Sequence, residues 1–205
     1  MSRDSVDRLK KKLKACESPD ASRVESQVSA AGFRCLRCSK CCRSRFGDNT
    51  VTVFPSEIRA IMEATGLGWL DVARPFEGGD SDARGVIHTF EWALRKKEDG
   101  DCAFLAGGAC AIYGQRPWIC RTYPMRLEGE EVELYDCDGL GAGPACDVPE
   151  ISRALMERQA AETAEAIALL EKFEAYTAPR DVPSGGRVHI VHDSEGSRTV
   201  VEHED

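Results

Sequence analysis

Four cysteines fall inside eight residues, Cys35-x-x-Cys38-x-x-Cys41-Cys42, and a second set follows far downstream at Cys102, Cys110, Cys120, Cys137 and Cys146. Two thiolates separated by two residues curl around one metal ion or one cluster iron, the geometry shared by zinc knuckles and iron-sulfur loops. The pattern predicts a metal site assembled from two distant segments of the chain. Disulfides are the competing use. The N-terminal Met1-Ser2-Arg3-Asp4-Ser5 runs into the charged stretch Arg8 to Lys14 with no apolar signal core, and no segment is apolar enough to span a bilayer. A cytoplasmic location is therefore expected, where thiols stay reduced and serve metal or redox chemistry. Adjacent Cys41 and Cys42 also suit metal better than each other, because a disulfide between neighbours closes a strained ring.

Charge narrows the partners. The 205 residues carry a formal net charge of -8, which excludes a general nucleic-acid binder, since neutralising phosphates needs a net basic face. The distribution is uneven: residues 34–45 hold Arg34, Arg37, Lys40, Arg43 and Arg45 and no acid. Cations there offset the negative charge of a thiolate-bound centre and favour the thiolate form. A surface for an acidic partner is the other use of the same cations. The basic run over residues 1–16 reads as a solvated helix face.

The elements that must position these groups follow from periodicity. Residues 4–15 predict a short amphipathic helix, then a polar linker from Glu17 to about Ser29 containing Ser18-Pro19. Thr50 to Phe54 reads as a strand, Pro55 opens a helix that runs to Gly66, and a second short helix spans Gly68 to Arg74. Residues 77–85 form a loop, Val86 to Lys97 a strand and turn, and Met125 to Tyr135 a hairpin that delivers Cys137. Cys102, Cys110 and Cys120 sit in turn-rich sequence, which predicts loop ligands. Asp147 and Pro149 start a long Ala-rich helix to about Tyr176, with Met156, Ala160, Ala164, Ile167 and Leu170 on its apolar face. Arg187 to His192 and Ser197 to Val201 form a final hairpin.

The expected fold class is α+β: a small antiparallel sheet with helices on one side, the cysteine-ligated metal loops at one end, a long C-terminal helix and a terminal hairpin. The expected organisation is a basic helix and linker over 1–30, a cysteine-cluster metal-binding domain over 31–146, a packing helix over 147–178 and a tail hairpin over 179–205.

Taken together, Cys35-x2-Cys38-x2-Cys41-Cys42, Cys102-Ala103-Phe104-Leu105 and Cys110-Ala111-Ile112-Tyr113-x2-Arg116-Pro117-x2-Cys120-Arg121-Thr122-Tyr123-Pro124 resemble the YkgJ-type cysteine-cluster family, also called CxxCxxCC proteins, over residues 33 to about 140. That family is known as zinc- or iron-chelating domains, and the flagellin lysine-N-methylases are similar in the same region. The resemblance implies eight ligands, Cys35, Cys38, Cys41, Cys42, Cys102, Cys110, Cys120 and Cys137. Cys16 and Cys146 fall outside it, the first as a plain thiol on the basic helix and the second as a substitute ligand.

Side chains on consecutive residues diverge, so Cys41 and Cys42 serve different centres. Two centres follow, or one centre and a free thiol. The preferred partition gives Cys35, Cys38 and Cys41 one distal partner and leaves Cys42 with three of the downstream set. Which distal cysteine goes where is not legible at this level. A [4Fe-4S] cluster is favoured by the tight loop, the cations and the Gly-rich partner segments, and zinc by plain four-thiolate coordination. The four histidines, His88, His189, His192 and His203, lie outside any ligand spacing with the cysteines.

Three functions follow: a redox or metal-handling protein with Arg116 and Arg121 tuning the cofactor by hydrogen bonds to sulfur and a protein as partner, a cluster-dependent lysine methyltransferase, and a zinc-stapled interaction module. The second is disfavoured by the lack of a Gly-rich nucleotide motif. Glu130-Glu131 and the Asp136, Asp138 pair read as solvated turn residues rather than as acid/base machinery.

Overall fold

The computed structural model describes Asp7, Lys10, Lys11 and residues 19–143, 147–183 and 185–203. Cys16, Cys146 and most of the 4–15 helix lie outside the described residues, although Asp7, Lys10 and Lys11 are helical and Lys10 pairs with Glu171 and Glu174.

The first element corrects the linker reading. Ala21–Ala31 is a helix, α1, because Asp20 caps it by accepting from Ser22 N at 2.9 Å and Arg23 N at 3.4 Å, and Gly32 stops it in the left-handed region at φ 54. Only Val24 and Val28 are buried along it. That i, i+4 pair suffices to dock the helix.

A three-stranded antiparallel sheet follows, in the order β1 (Thr52–Val53), β5 (Trp92–Leu94), β2 (Ala73–Pro75). Between β1 and β2 lie α2 (Pro55–Thr65), ended by Gly66 as expected, and α3 (Trp69–Val72). The segment Val86 to Lys97 is two strands rather than one: β4 (Ile87–Thr89) belongs to a different sheet from β5. That second sheet runs β11 (Gly196–Glu202), β10 (Arg187–Asp193), β4, β3 (Asp80–Ser81). The terminal hairpin forms as expected, with β10 inside the sheet. Its pairing with β4 is parallel, against the antiparallel pattern of the others.

Two hairpins carry downstream cysteines: β6 (Leu105–Ala106) with β7 (Ala109–Cys110), and β8 (Met125–Glu128) with β9 (Glu131–Leu134). The short helix α4 (Trp118–Thr122) lies between them, and the long helix α5 (Val148–Glu174) starts at its Asp147 cap. The buried stripe of α5 is not the predicted one. Ser152, Leu155, Arg158, Gln159 and Thr163 are buried while Ala160 and Ala164 are exposed. Partners explain this: Arg158 donates to Thr122 Oγ1 at 2.9 Å and to Glu162 at 2.7 Å, so a buried cation is satisfied where an alanine face offers only small area.

Apolar packing divides into separate cores. One joins Val53, Ile58, Ile61, Val72, Trp92, Leu94, Phe104 and Ile112, with Cys102 and Cys110 packed against it. Another joins Val24, Val28 and Phe33 to Met125, Leu127 and Leu155, with Cys137 packed against it. The chain is thus α+β, with small sheets, helices, a long C-terminal helix and a terminal hairpin, and the first four cysteines lie on the segment between these two cores. No helix among the described residues is long and apolar enough to cross a membrane.

Candidate metal centre

Residues 35–42 form no continuous helix or strand. Arg37 and Ser39 take left-handed backbone conformations, φ 52 and 55, and Lys40–Cys42 closes a 3-10 turn. Non-glycine residues adopt that region at a cost, and two of them between cysteines mark a loop curled for a purpose other than stability.

Backbone hydrogen bonds tie the loop to the downstream cysteines at two places. Arg34 N donates to Gly139 O at 2.9 Å, and Lys40 pairs with Asp138, which brings the Cys35 end beside Cys137. At the other end Cys102 N donates to Cys42 O at 2.9 Å, and Asn49 Nδ2 binds the carbonyls of Cys42 at 3.2 Å and Gly100 at 3.0 Å. Cys110 pairs with Leu105 in the hairpin directly after Cys102. Cys120 lies on α4, whose start is held by Glu57: Oε1 accepts from Trp118 N at 2.7 Å and Oε2 from Phe54 N at 2.9 Å.

The ligand segments are therefore not all loops. Cys102 is in a β-bridge with Lys96, Cys110 is in a strand and Cys120 is in a helix. Regular elements hold a donor more firmly than a loop does. Glu57, Asn49 and Gly139 were not singled out by sequence reasoning. Glu57 alone had a signal, as the third residue of a helix opened by proline.

The electrostatics show which thiols influence one another, with Cys41 acting on Cys102 and Cys120 as well as on Cys137. Burial pushes the Cys137 thiol up, and Cys38, Cys41 and Cys35 add to that. Burial pushes Cys120 up to about 12, with Cys102, Cys41 and Cys110 adding to the effect. Burial raises Cys102 also, with contributions from Cys110 and Cys41. Cys41 and Cys42 have their sulfurs 4.0 Å apart, and this contact holds the Cys41 thiol down at about 7 and drives the Cys42 thiol upward. Thiols that resist ionisation alone become good ligands when a cation supplies the compensating charge.

All eight of these cysteines are free. As the side chains stand, no three His, Cys, Asp or Glu groups among the described residues converge closely enough to hold an ion. The donor set fits a soft, thiophilic metal, and Gly139 N already donates to Cys137 Sγ at 3.5 Å, the backbone contact that steadies a ligating sulfur.

Arg116 and Arg121 sit beside this set, but their hydrogen bonds go to backbone. Arg116 donates to Tyr113 O at 3.1 Å and Cys120 O at 3.5 Å, and Arg121 to Arg116 O. Arg116 still acts on sulfur through space, favouring the ionised forms of Cys41 and Cys120. The histidines are elsewhere. His88 and His192 stack with Nδ1 and Nε2 3.0 Å apart, buried His189 faces Glu202, and His203 meets Gly185 O.

A family model described as "CxxCxxCC: Putative zinc- or iron-chelating domain" matches residues 34–138, the span that holds all eight cysteines. The chain belongs to the CxxCxxCC family. Metal chelation through cysteine is thus the family's character, and zinc and iron both fit its description. Neither the curated proteins nor the solved structures contain a match to this CxxCxxCC chain.

Proposed function

We propose that this CxxCxxCC chain is a redox or metal-handling protein whose eight cysteines hold two four-thiolate centres, with iron-sulfur as the preferred occupant. The observation that carries this is the sorting of the thiols into two neighbourhoods. Cys137 feels the charges of Cys38, Cys41 and Cys35, whereas Cys42 accepts through its carbonyl from Cys102 N and feels Cys102 and Cys120; Cys41 acts on both sets. Cys110 joins Cys102 and Cys120. Each neighbourhood counts four, the number a zinc ion or a cubane takes. Cys41 lies at the boundary, its sulfur 4.0 Å from that of Cys42.

When bound, a [4Fe-4S] centre supplies reversible electron transfer. The protein's own contribution is orientation and charge. Left-handed Arg37 and Ser39 aim the loop thiols, Gly139 N–H steadies Cys137, and Arg116 offsets thiolate charge at Cys41 and Cys120. A structural zinc module is the second reading, favoured by the position of the loop between two apolar cores that a metal would staple together.

Purification without oxygen, followed by metal, acid-labile sulfide and the visible spectrum, tests the reading. About eight irons with matching sulfide per chain and a reversible potential are expected. Zinc without sulfide, in a colourless protein, overturns the iron-sulfur assignment and leaves the structural module.

A further inference from the structure

The cysteine loop is flanked by cations that no carboxylate of the fold neutralises. Many arginines elsewhere are ion-paired, among them Arg23 with Glu130 and Glu131, Arg59 with Glu195, Arg74 with Glu77, Arg84 with Asp82 and Arg158 with Glu162. Around the cysteines, Lys40 and Arg43 have acidic partners, but among the described residues Arg37, Arg45, Arg116 and Arg121 make no ion pair. Arg34, Arg95, Arg180 and Arg187 likewise make no ion pair among the described residues, so what sets this loop apart, in a chain of net charge -8, is the gathering of cations along residues 34–45, which hold no acid.

Arg37, Arg45, Arg116 and Arg121 each lie over an aromatic ring. Arg116 is 3.7 Å and Arg37 5.5 Å from the centre of Tyr113, Arg45 is 4.6 Å from that of Phe46, and Arg121 is 4.9 Å from that of Trp118. Arg116 and Arg121 also give N–H groups to backbone carbonyls, whereas Arg37 and Arg45 are held on their rings without spending the N–H edge, which stays open for a carboxylate. The rings are themselves exposed, Tyr113 to 47% and Phe46 to 49%, with Leu36 at 50% beside them. Exposed aromatic and aliphatic anchors interleaved with arginine have the composition of a protein interface.

Arg116 also offsets thiolate charge at Cys41 and Cys120. The cysteine loop lines a large cleft whose other wall, contributed by α5, carries Glu150, Glu157, Glu162 and Glu165 beside Arg153 and Arg158. An extended polyanion crossing the cleft would meet those carboxylates; a compact acidic patch seated on the cysteine-loop side would not.

We infer that the rim formed by Leu36, Arg37, Arg45, Phe46 and Tyr113 is a docking surface for a protein partner that presents a short acidic segment containing an apolar residue. The inference rests on the metal-centre reading of the same loop for its purpose, which is to bring that partner within reach of the centres.

The test uses metal-loaded full-length protein and a fluorescein-labelled peptide of alternating Glu and Leu, read by anisotropy over a salt series, with the Lys-Leu peptide and a single-stranded oligonucleotide of equal charge as comparators. The Glu-Leu peptide is expected to bind, more weakly as salt rises. Arg37→Glu with Arg45→Glu should weaken it about tenfold or more, and Arg74→Glu should leave it unchanged. Arg45→Glu with Phe46→Ala, which spares the residues between the cysteines, should weaken it comparably. Tighter binding of the oligonucleotide, equal binding by wild type and both double variants, or no peptide binding overturns the inference. Metal content and spectrum of the same samples report separately on the centres, so loss of metal in wild type would count against the proposed function and leave the docking result readable.

Discussion

Consider replacement of one cysteine from each neighbourhood, Cys137→Ser and Cys110→Ser, alone and together, with Cys35→Ser combined with Cys137→Ser as the companion. Cys137 packs against the core of α1, β8 and α5, while Cys110 packs against the core of α2, β1 and β5. Each side chain lies on the periphery of its core, half-buried, and serine preserves its shape. The fold effect of each single change should stay within about 1 kcal/mol apart from any lost metal. The metal effect is set by counting. If each centre takes four thiolates, removing one ligand empties one centre, so each single variant keeps about half of the wild-type iron, about four atoms rather than about eight. The two sets then predict opposite combinations. Cys35→Ser with Cys137→Ser falls in one set and keeps about half, whereas Cys137→Ser with Cys110→Ser falls in both and keeps almost none. This is the logic of a double-mutant cycle, with coupling inside a set and independence between sets. Iron and sulfide per folded chain, on anaerobically purified protein, is the assay. The partition is refuted if the within-set pair loses everything, or if the cross-set pair retains half.

Gly139→Ala would place a Cβ 2.4 Å from Arg34 O, pushing the Cys137 arm off the Cys35 loop, so about half the metal should be lost, whereas Gly114→Ala, with nothing within 4 Å, should keep all of it; metal analysis checks both. Glu57→Ala leaves the N–H groups of Phe54 and Trp118 without their acceptor and should cost about 1–3 kcal/mol, seen as a lower urea midpoint at unchanged slope. The His192 pKa is lowered by burial first and by His88 second, against Asp193. The neutral ring is therefore the form the fold prefers, and its contribution is complete above about pH 6.5 and is lost as pH falls from there through the depressed folded-state value. Urea midpoints of wild type minus those of His192→Gln, taken from pH 8 downward, should show a difference that shrinks below about 6.5, and a flat difference refutes the assignment.

Local signals were legible wherever a residue's neighbours in sequence are also its neighbours in space. Pro55 and Gly66 bracket α2, the alternation around Val132 and Leu134 marks the hairpin, and Asp147 with Pro149 starts α5. Helix α1 escaped because just two of its residues, Val24 and Val28, are buried, so its polar surface reads as linker; its Asp20 cap and Gly32 stop were the usable signs. The buried stripe of α5 escaped for the opposite reason. Arg158 and Gln159 go inside only because Thr122 and the hairpin turn happen to stand opposite them, and no periodicity of α5 itself encodes that.

The thiol partition shows how far such reasoning reaches. Adjacency of Cys41 and Cys42 suggests two neighbourhoods because consecutive side chains are expected to diverge, but their sulfurs lie 4.0 Å apart, so adjacency alone does not separate them. Assigning Cys137 to the first neighbourhood requires knowing that β8 packs with α1 and α5, and assigning Cys102 and Cys110 to the second requires that the strand before them pairs with β1 and β2. Each is a contact between segments far apart in sequence, decided by which apolar surface covers which. The spacing of the cysteines specifies what is to be bound, and the two cores decide which thiols reach it together. A centre placed at their boundary links its own occupancy to the docking of one core on the other, so removal of metal should loosen the joint before it loosens either core. Hydrogen exchange makes this observable: on chelation, amides of residues 34–49 should lose protection while those of Leu155 and Trp92, at the centres of their respective cores, keep it. Equal loss at all three places would mean that the metal holds up the cores themselves.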